Sequence, residues 1–412
     1  MTLLSFALFE GISVLTLMAF DLREGQSFYN AARNRYADLR SAWLPPNYYG
    51  SFDPLLQMRH VPGSAYRGLL VNEHGFIGNG NDDPALAIFP EKPIGAYRIL
   101  LLGGSSVAGD GASDNRETIS SQLERQLNAT TGDSGLQYQV LNFGLRGGYT
   151  GSEVMTFLMQ LVHLQPDMVI SLDGFNDAWN AVLEHNRVGL PHGIMNWSDH
   201  SYLYFEALNG RLRPGTAFPP KVLTFSVTLA NRLLISRWQP AALRNLYAEY
   251  PWYVISGQLS QSDKFFAKAL GSNLNALGAY ATMNPEMALI AYLQPHAHQW
   301  KPLTAGERER LEAWHTTSST MSGAAFTWDT YRGLMLPAFE RYAEVYRSLA
   351  EQYSDVENVA FINLLRLFEE EHGDVYADII HYTAHGNGLL AGRMAKDIAI
   401  LQSAQQRRLA VR

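Results

Sequence analysis

From about residue 97 onward, apolar and polar positions fall into two alternating rhythms. Short apolar runs occupy 97–102, 138–142, 168–172, 287–293 and 359–362, each about the length of a strand buried on both faces. Between them, apolar residues recur three and four positions apart. The sets are Ile119, Leu123 and Leu127; Val154, Phe157, Leu158 and Leu161; Phe339, Tyr342, Val345 and Leu349; and Leu390, Met394 and Ile398. That spacing puts each set on one face of a helix. Thr150 and Glu153, ahead of the second set, have the form of a capping box. Strands alternating with helices predict an α/β fold, a three-layer α/β/α sandwich around a five-stranded, mainly parallel sheet. Such sheets bind ligands beyond the carboxyl ends of their strands, so the residues after each apolar run are the first candidates for chemistry.

Two stretches break the rhythm. Residues 186–285 carry aromatic and Pro/Gly-rich segments, including Tyr202, Tyr204, Phe205, Pro219-Pro220, Trp238 and Trp252, and 300–328 is polar with few strand signals. Together they predict an inserted helical or lid region over about 186–330. Residues 21–90 are polar, aromatic and rich in turn residues, the composition of an extended connector packed on the body. Met1 to Phe20 is mostly apolar with one charged side chain, Glu10. About 20 apolar residues suffice to cross a bilayer, so an N-terminal hydrophobic helix acting as a membrane anchor is expected over 1–20. A cleaved signal peptide fits less well, because no basic segment precedes the stretch and no small-x-small site follows it. An amphipathic helix docked on the domain is the alternative, and Glu10 speaks for it. Arg23, Arg33, Arg35 and Arg40 follow the stretch, and the positive-inside rule alone would keep the body cytoplasmic. The expected division is anchor 1–20, connector 21–90 and catalytic domain 91–412.

Composition narrows the class. Of 412 residues, 47% are hydrophobic and 17% charged, which suits a folded chain with a core large enough to need no staples. A net charge of −7 gives no reason to expect a nucleic-acid partner. The absence of cysteine excludes thiol catalysis, disulfides and thiolate metal sites together.

Four strand ends carry chemistry. The first run is followed by Gly103-Gly104-Ser105-Ser106-Val107-Ala108-Gly109. Glycines before a serine allow a sharp turn that leaves the hydroxyl exposed. A phosphate cradle is the rival, but the loop lacks the lysine of a P-loop and the glycine spacing of a dinucleotide fold. Taken alone, the turn also fits a plain tight loop. The second run ends Asn142-Phe143-Gly144-Leu145-Arg146-Gly147-Gly148, whose glycines either present N–H groups to an anion or serve close packing. The third ends Asp173-Gly174-Phe175-Asn176-Asp177. Asn176 could donate its amide to an oxyanion, whereas Asp177 reads as a helix N-cap. After the fifth comes Asp378-Ile379-Ile380-His381, in which an Asp three residues before a His can reach the imidazole and fix its tautomer.

In this order, Gly-Gly-Ser, Asn-x-Gly-x-x-Gly, Gly-x-Asn-Asp and Asp-x-x-His resemble the SGNH (GDSL-like) hydrolase superfamily over about 97–180 and 285–405. The resemblance implies a flavodoxin-like fold and a serine esterase with no cofactor. Ser105, Asp378 and His381 match its catalytic triad, and Ser105, Gly147 and Asn176 its oxyanion hole. Gly104 stands where the eponymous motif has Asp, as in membrane-associated bacterial relatives. Leu293-Gln294-Pro295 and Val71-Asn72-Glu73-His74-Gly75-Phe76 look like the same subgroup, which implies an extracytoplasmic catalytic domain tethered at the bacterial cell envelope. The expected substrate is a small-molecule or carbohydrate acyl ester, such as an acetylated envelope or exported carbohydrate. Two alternatives use the same chain differently: an O-acyltransferase on polysaccharide with the same triad, or a non-catalytic, membrane-tethered binding or assembly module.

Other conspicuous residues receive plainer readings. His296 and His298 are expected as exposed loop histidines and not as metal ligands, and His385 as structural at the start of the last helix. Trp197, Trp238, Trp252 and Trp300 are expected in packing rather than in sugar stacking.

Overall fold

The computed structural model of the chain describes residues 3–23, 51–53, 57–60, 65–66, 69–72, 74–80, 92–131, 136–182, 259–297, 300–312 and 328–411. Its centre is a sheet of strands β1 (Ala96–Gly103), β2 (Gln137–Gly144), β3 (Met168–Asp173), β4 (Ala288–Leu293) and β5 (Val359–Asn363). They lie in the order β2-β1-β3-β4-β5, and every pairing is parallel. Each matches one of the apolar runs and departs from it by no more than two residues at either end. β3 and β4 are buried at every position, as strands covered on both faces must be.

Helices α1 (Leu3–Arg23), α2 (Ser105–Ala108), α3 (Ile119–Thr130), α4 (Thr150–Met159), α5 (Phe175–Val182), α6 (Leu259–Met283), α7 (Trp328–Gln352) and α8 (Ala384–Val411) are joined by a short helical stretch at 305–312. α3 and α8 pack together in one layer, and α4, α5, α6 and α7 form the other. Most of the stripe positions read from spacing face the core. Ile119, Leu123 and Leu127 on α3, Val154 and Phe157 on α4, Phe339, Tyr342 and Leu349 on α7, and Leu390, Met394 and Ile398 on α8 are buried. Leu158 on α4, however, is 45% exposed, and Leu161 lies beyond the end of that helix. The chain runs from β1 out to the edge strand β2 and back to β3 on the other side of β1. That reversal opens a crevice at the carboxyl ends of β1 and β3, where this strand order binds its ligands.

Two local expectations need correction. Tyr149, not Thr150, is the N-cap of α4, and its N–H is accepted by the Ser152 hydroxyl at 3.1 Å. Asp177 does not cap α5 but stands inside its first turn. Thr150 and Asp177 bond each other instead, hydroxyl to carboxylate at 2.6 Å. A capping signature reports only the local chain, and here a bond between two helices takes both groups.

Part of the polar N-terminal stretch runs along β2. Ile77 bridges to Asn142, Asn79 donates to the Val140 carbonyl at 2.7 Å, and His60 bonds the Gly144 carbonyl at 2.9 Å. Leu69, Val71 and Ile77 bury with Ala108 in a small separate cluster beneath α2.

The chain divides into two compact units, Met1–Tyr48 with Phe205–Val254, and Tyr49–Tyr204 with Ile255–Arg412. The first contributes α1 to the described residues. On that helix Ser13 and Leu17 are buried, and Ile12, Leu15 and Leu22 are exposed. Among the described residues no helix is long and apolar enough to cross a membrane, so the N-terminal stretch is helical but its expected role as an anchor gains no support. The part of the expected insertion from 183 to 258 and from 313 to 327, with Trp197, Trp238, Trp252 and also His298, lies outside the described residues.

Candidate active site

β1 ends at Gly103, and Gly104 turns the chain so that Ser105 opens the single helical turn α2. A Cβ built at Gly104 would lie only 2.4 Å from Nδ2 of Asn176, so a larger residue here would have to displace that amide. Gly109 closes α2 in the left-handed region at φ 107°. Asn142 at the end of β2 braces the turn from below, donating to the Val107 carbonyl at 2.7 Å and to the Ser120 hydroxyl at 3.0 Å.

The Asp378-x-x-His381 segment sits in a loop closed by the Tyr376–Tyr382 bridge. The Asp378 carboxylate serves this loop twice. Oδ1 accepts the backbone N–H groups of Ile380 (3.0 Å) and His381 (2.9 Å), which makes the turn. Oδ2 lies 2.5 Å from Nδ1 of His381, and Nε2 of the same ring lies 2.7 Å from Oγ of Ser105. Ser105 and His381, 276 residues apart in sequence, are thus joined to Asp378 in one hydrogen-bonded relay. Burial pushes the Asp378 carboxyl up, but the His381 charge and the three hydrogen bonds more than reverse this and hold it at about 2. The group is therefore ionised throughout the neutral range.

A buried polar brace fixes the loop against the nucleophile turn. Gln294, just past β4, donates to the Ser106 hydroxyl at 2.7 Å, and that hydroxyl donates to the Ile380 carbonyl at 3.1 Å. Tyr382 donates to the Pro295 carbonyl at 2.7 Å. From the other side Glu307 accepts the N–H groups of Val375 (2.9 Å) and Tyr376 (3.1 Å) and pairs with Lys301 at 2.7 Å, both side chains being buried.

The remaining candidates gather beside Ser105. Asn176, in the first turn of α5, donates one amide hydrogen to the Gly148 carbonyl at 2.6 Å; a second N–H remains on the same nitrogen. Gly147, next to that carbonyl, is left-handed at φ 71°. The N–H of Ser105 is at the first position of a helical turn, where no carbonyl of its own turn can reach it.

One polar group at the site does not stand out in the sequence. Asp110 is buried, and its Oδ2 lies 3.7 Å from Nε2 of His381. Its signal was weak: an acid in a Gly-Asp-Gly turn reads as a loop. Glu153, Asp173 and Asp177 form a buried acidic cluster behind α4 and α5. Burial raises all three carboxyls, and Asp177, also facing the charge of Asp173, reaches about 7 despite its bonds from Thr150. His296, expected to be exposed, is instead buried. It stacks on Phe339 with ring centroids 3.9 Å apart and meets Trp300 edge-on at 5.6 Å, and burial lowers it to about 3. A neutral imidazole between aromatic rings packs like an apolar group, which loop position alone does not reveal. His385 lies on α8, half-exposed, 3.6 Å from Glu371. Among the described residues no group of three or more His, Cys, Asp or Glu side chains could hold a metal. A groove of about 420 Å³ between α7 and the end of β5, lined by Glu340, Glu344, Arg347 and Asn363 among others, shares no residue with the relay.

No protein-family model matches the chain, and no curated protein does. Solved structures do match. An α/β hydrolase from the metagenome of Lake Arreo is 12% identical, with 74% of this chain and 96% of that one covered at a TM-score of 0.37. The family 3 carbohydrate esterase of Clostridium thermocellum is 14% identical, with 75% and 98% covered at 0.35. A lipase/acylhydrolase from Enterococcus faecalis is 15% identical, with 73% and 94% covered at 0.35. Likenesses this slight carry no inference about chemistry, which stands here on the chain's own side chains.

Proposed function

We propose that this chain is a serine-dependent carboxylic ester hydrolase, with Ser105 as nucleophile, His381 as general base and Asp378 as the group that orients the base. The observation that carries the reading is the continuous relay from Asp378 Oδ2 through His381 to Ser105 Oγ at 2.5 and 2.7 Å, at the crevice end of a parallel sheet. A serine hydroxyl is a weak nucleophile at neutral pH and needs a base within hydrogen-bond reach. As Oγ attacks the ester carbonyl, its proton passes to Nε2, and the carbonyl electrons become an oxyanion. The N–H groups of Ser105 and Gly147 and the free amide hydrogen of Asn176 are the donors proposed to receive it. Collapse of this adduct breaks the C–O bond, and the leaving alkoxide takes the proton from Nε2. Water then repeats the sequence on the acyl-enzyme, releasing the acid and restoring Ser105.

The proposed substrate is an acyl ester, and the proposed alcohol is a cell-envelope or exported carbohydrate; the latter rests on the family resemblance of the four motif blocks. Anchorage of an extracytoplasmic domain through residues 1–20 is proposed on that resemblance alone. Turnover tests the chemistry. Wild type should hydrolyse short p-nitrophenyl esters or acetylated sugars, and Ser105→Ala should lower kcat/KM by at least about 10³-fold. Ester hydrolysis that survives Ser105→Ala would sink the assignment. Adding a sugar acceptor to the same assay separates hydrolysis from acyl transfer.

A further inference from the structure

Asp110 takes no part in the proton transfers, yet it is the second carboxylate at the imidazole. The turn that carries it is built to bring it there. Gly109 and Gly111 on either side are both left-handed, at φ 107° and 95°, and the Asp110 N–H donates to the Ser105 carbonyl at 3.0 Å. A Cβ at Gly111 would lie 2.5 Å from the Tyr382 carbonyl oxygen and 3.3 Å from Cβ of His381, so the turn presses directly on the loop of the base. The Asp110 side chain is only 2% exposed, and its Oδ2 is 3.7 Å from Nε2 of His381.

We propose that Asp110 is a positioning residue that acts through His381, stabilising the imidazolium formed when Ser105 gives up its proton. This rests on the reading of the chain as a serine esterase. An opposite charge within about 4–6 Å favours the charged form of a titrating group, and a buried charge acts more strongly than one in water. The distance sets the manner of action. At 3.7 Å, Asp110 is too far to accept a hydrogen bond, so it lowers the energy of the cation without taking the proton. Nε2–H stays available to the leaving alkoxide. His381 therefore becomes positive between Asp378 at Nδ1 and Asp110 beside Nε2. Among the described groups bonded to the ring or to the residues beside it, the hydroxyls of Ser105 and Ser106, the Gln294 amide and the Tyr382 phenol, which burial pushes up, are neutral.

The test compares wild type, Asp110→Asn and Asp110→Glu in the full chain, with two readouts. The first is the imidazole titration of His381 followed by nitrogen NMR of labelled histidine, which needs no catalysis. The second is the pH dependence of the rate at which a fluorophosphonate labels Ser105. Asp110→Asn should move both midpoints down by about one unit or more, and Asp110→Glu should bring them back toward wild type. If the carboxamide does not melt cooperatively, Asp110→Ser removes the same charge with fewer atoms and should give the same shift. An unmoved His381 midpoint in a folded neutral variant overturns the proposal. A shifted NMR midpoint in a chain that never labels supports the coupling of Asp110 to His381 and refutes the esterase reading instead.

Discussion

A Cβ built at Gly104 would stand 2.4 Å from Nδ2 of Asn176 and 3.1 Å from the Gly148 carbonyl oxygen, the two atoms that bond each other at 2.6 Å. Gly104→Ala therefore has to push the Asn176 amide away from its acceptor. If that amide serves as an oxyanion donor, kcat should fall by about 10²–10³-fold, the usual cost of losing one such donor, with KM little changed. Steady-state kinetics on one p-nitrophenyl ester checks this, and an Ala variant with wild-type kcat would contradict it. The same glycine was visible in the sequence as a turn former, but not as a spacer for an amide 72 positions later. Ser105, Asn176, Asp378 and His381 were legible because each follows an apolar run with a side chain of distinctive chemistry. Asp110 and the burial of His296 were not, because both depend on contacts with distant parts of the chain.

The bond from Thr150 to Asp177 ties the first turn of α4 to the first turn of α5, the two places where Gly147-Gly148 and Asn176 are held. Asp177 is raised to about 7, first by burial and then by the charge of Asp173; in an unfolded chain an Asp ionises near ~3.9. Between these values the folded state keeps a proton that the unfolded state has lost. The Asp177 contribution to stability should therefore fall as pH rises from about 4 to about 7 and level off above, while Glu153 and Asp173, also raised by burial, act with the same sign. Asp378 acts in a separate window and with the opposite sign. Its carboxyl is held at about 2, so its contribution is complete above about 4 and is lost as pH falls through about 2. Melting curves across pH check the first window: Asp177→Asn should flatten the decline between pH 4 and 7, and an unchanged slope would show that the carboxyl is not protonated in the fold. At this scale, the strands and the core stripes were legible from period alone, because burial on both faces leaves continuous apolar runs. The Thr150–Glu153 capping box was misread for the reason that its members bond outward: Thr150 reaches α5, and Glu153 is buried beside Asp173.

Across the larger unit, the order β2-β1-β3-β4-β5 gathers the ends of β1, β2 and β3 and the loop after β5 around Ser105, although these segments are spread from residue 103 to residue 381. The four motif blocks, each following its strand, make this arrangement readable in the sequence. The polar brace through Gln294, Ser106 and Glu307 was not readable, since its members are ordinary residues given meaning only by burial. Glu307 shows what the brace contributes: it satisfies two backbone N–H groups of the base loop and a buried lysine at once. Such an assembly would make Ser105 a nucleophile. Intact-mass analysis of the full chain after incubation with a fluorophosphonate tests it most directly. One phosphonyl adduct per chain is expected, mapped to Ser105, absent from Ser105→Ala and strongly slowed in His381→Ala. A well-folded wild type that takes up no adduct, or takes it up equally in Ser105→Ala, would contradict it.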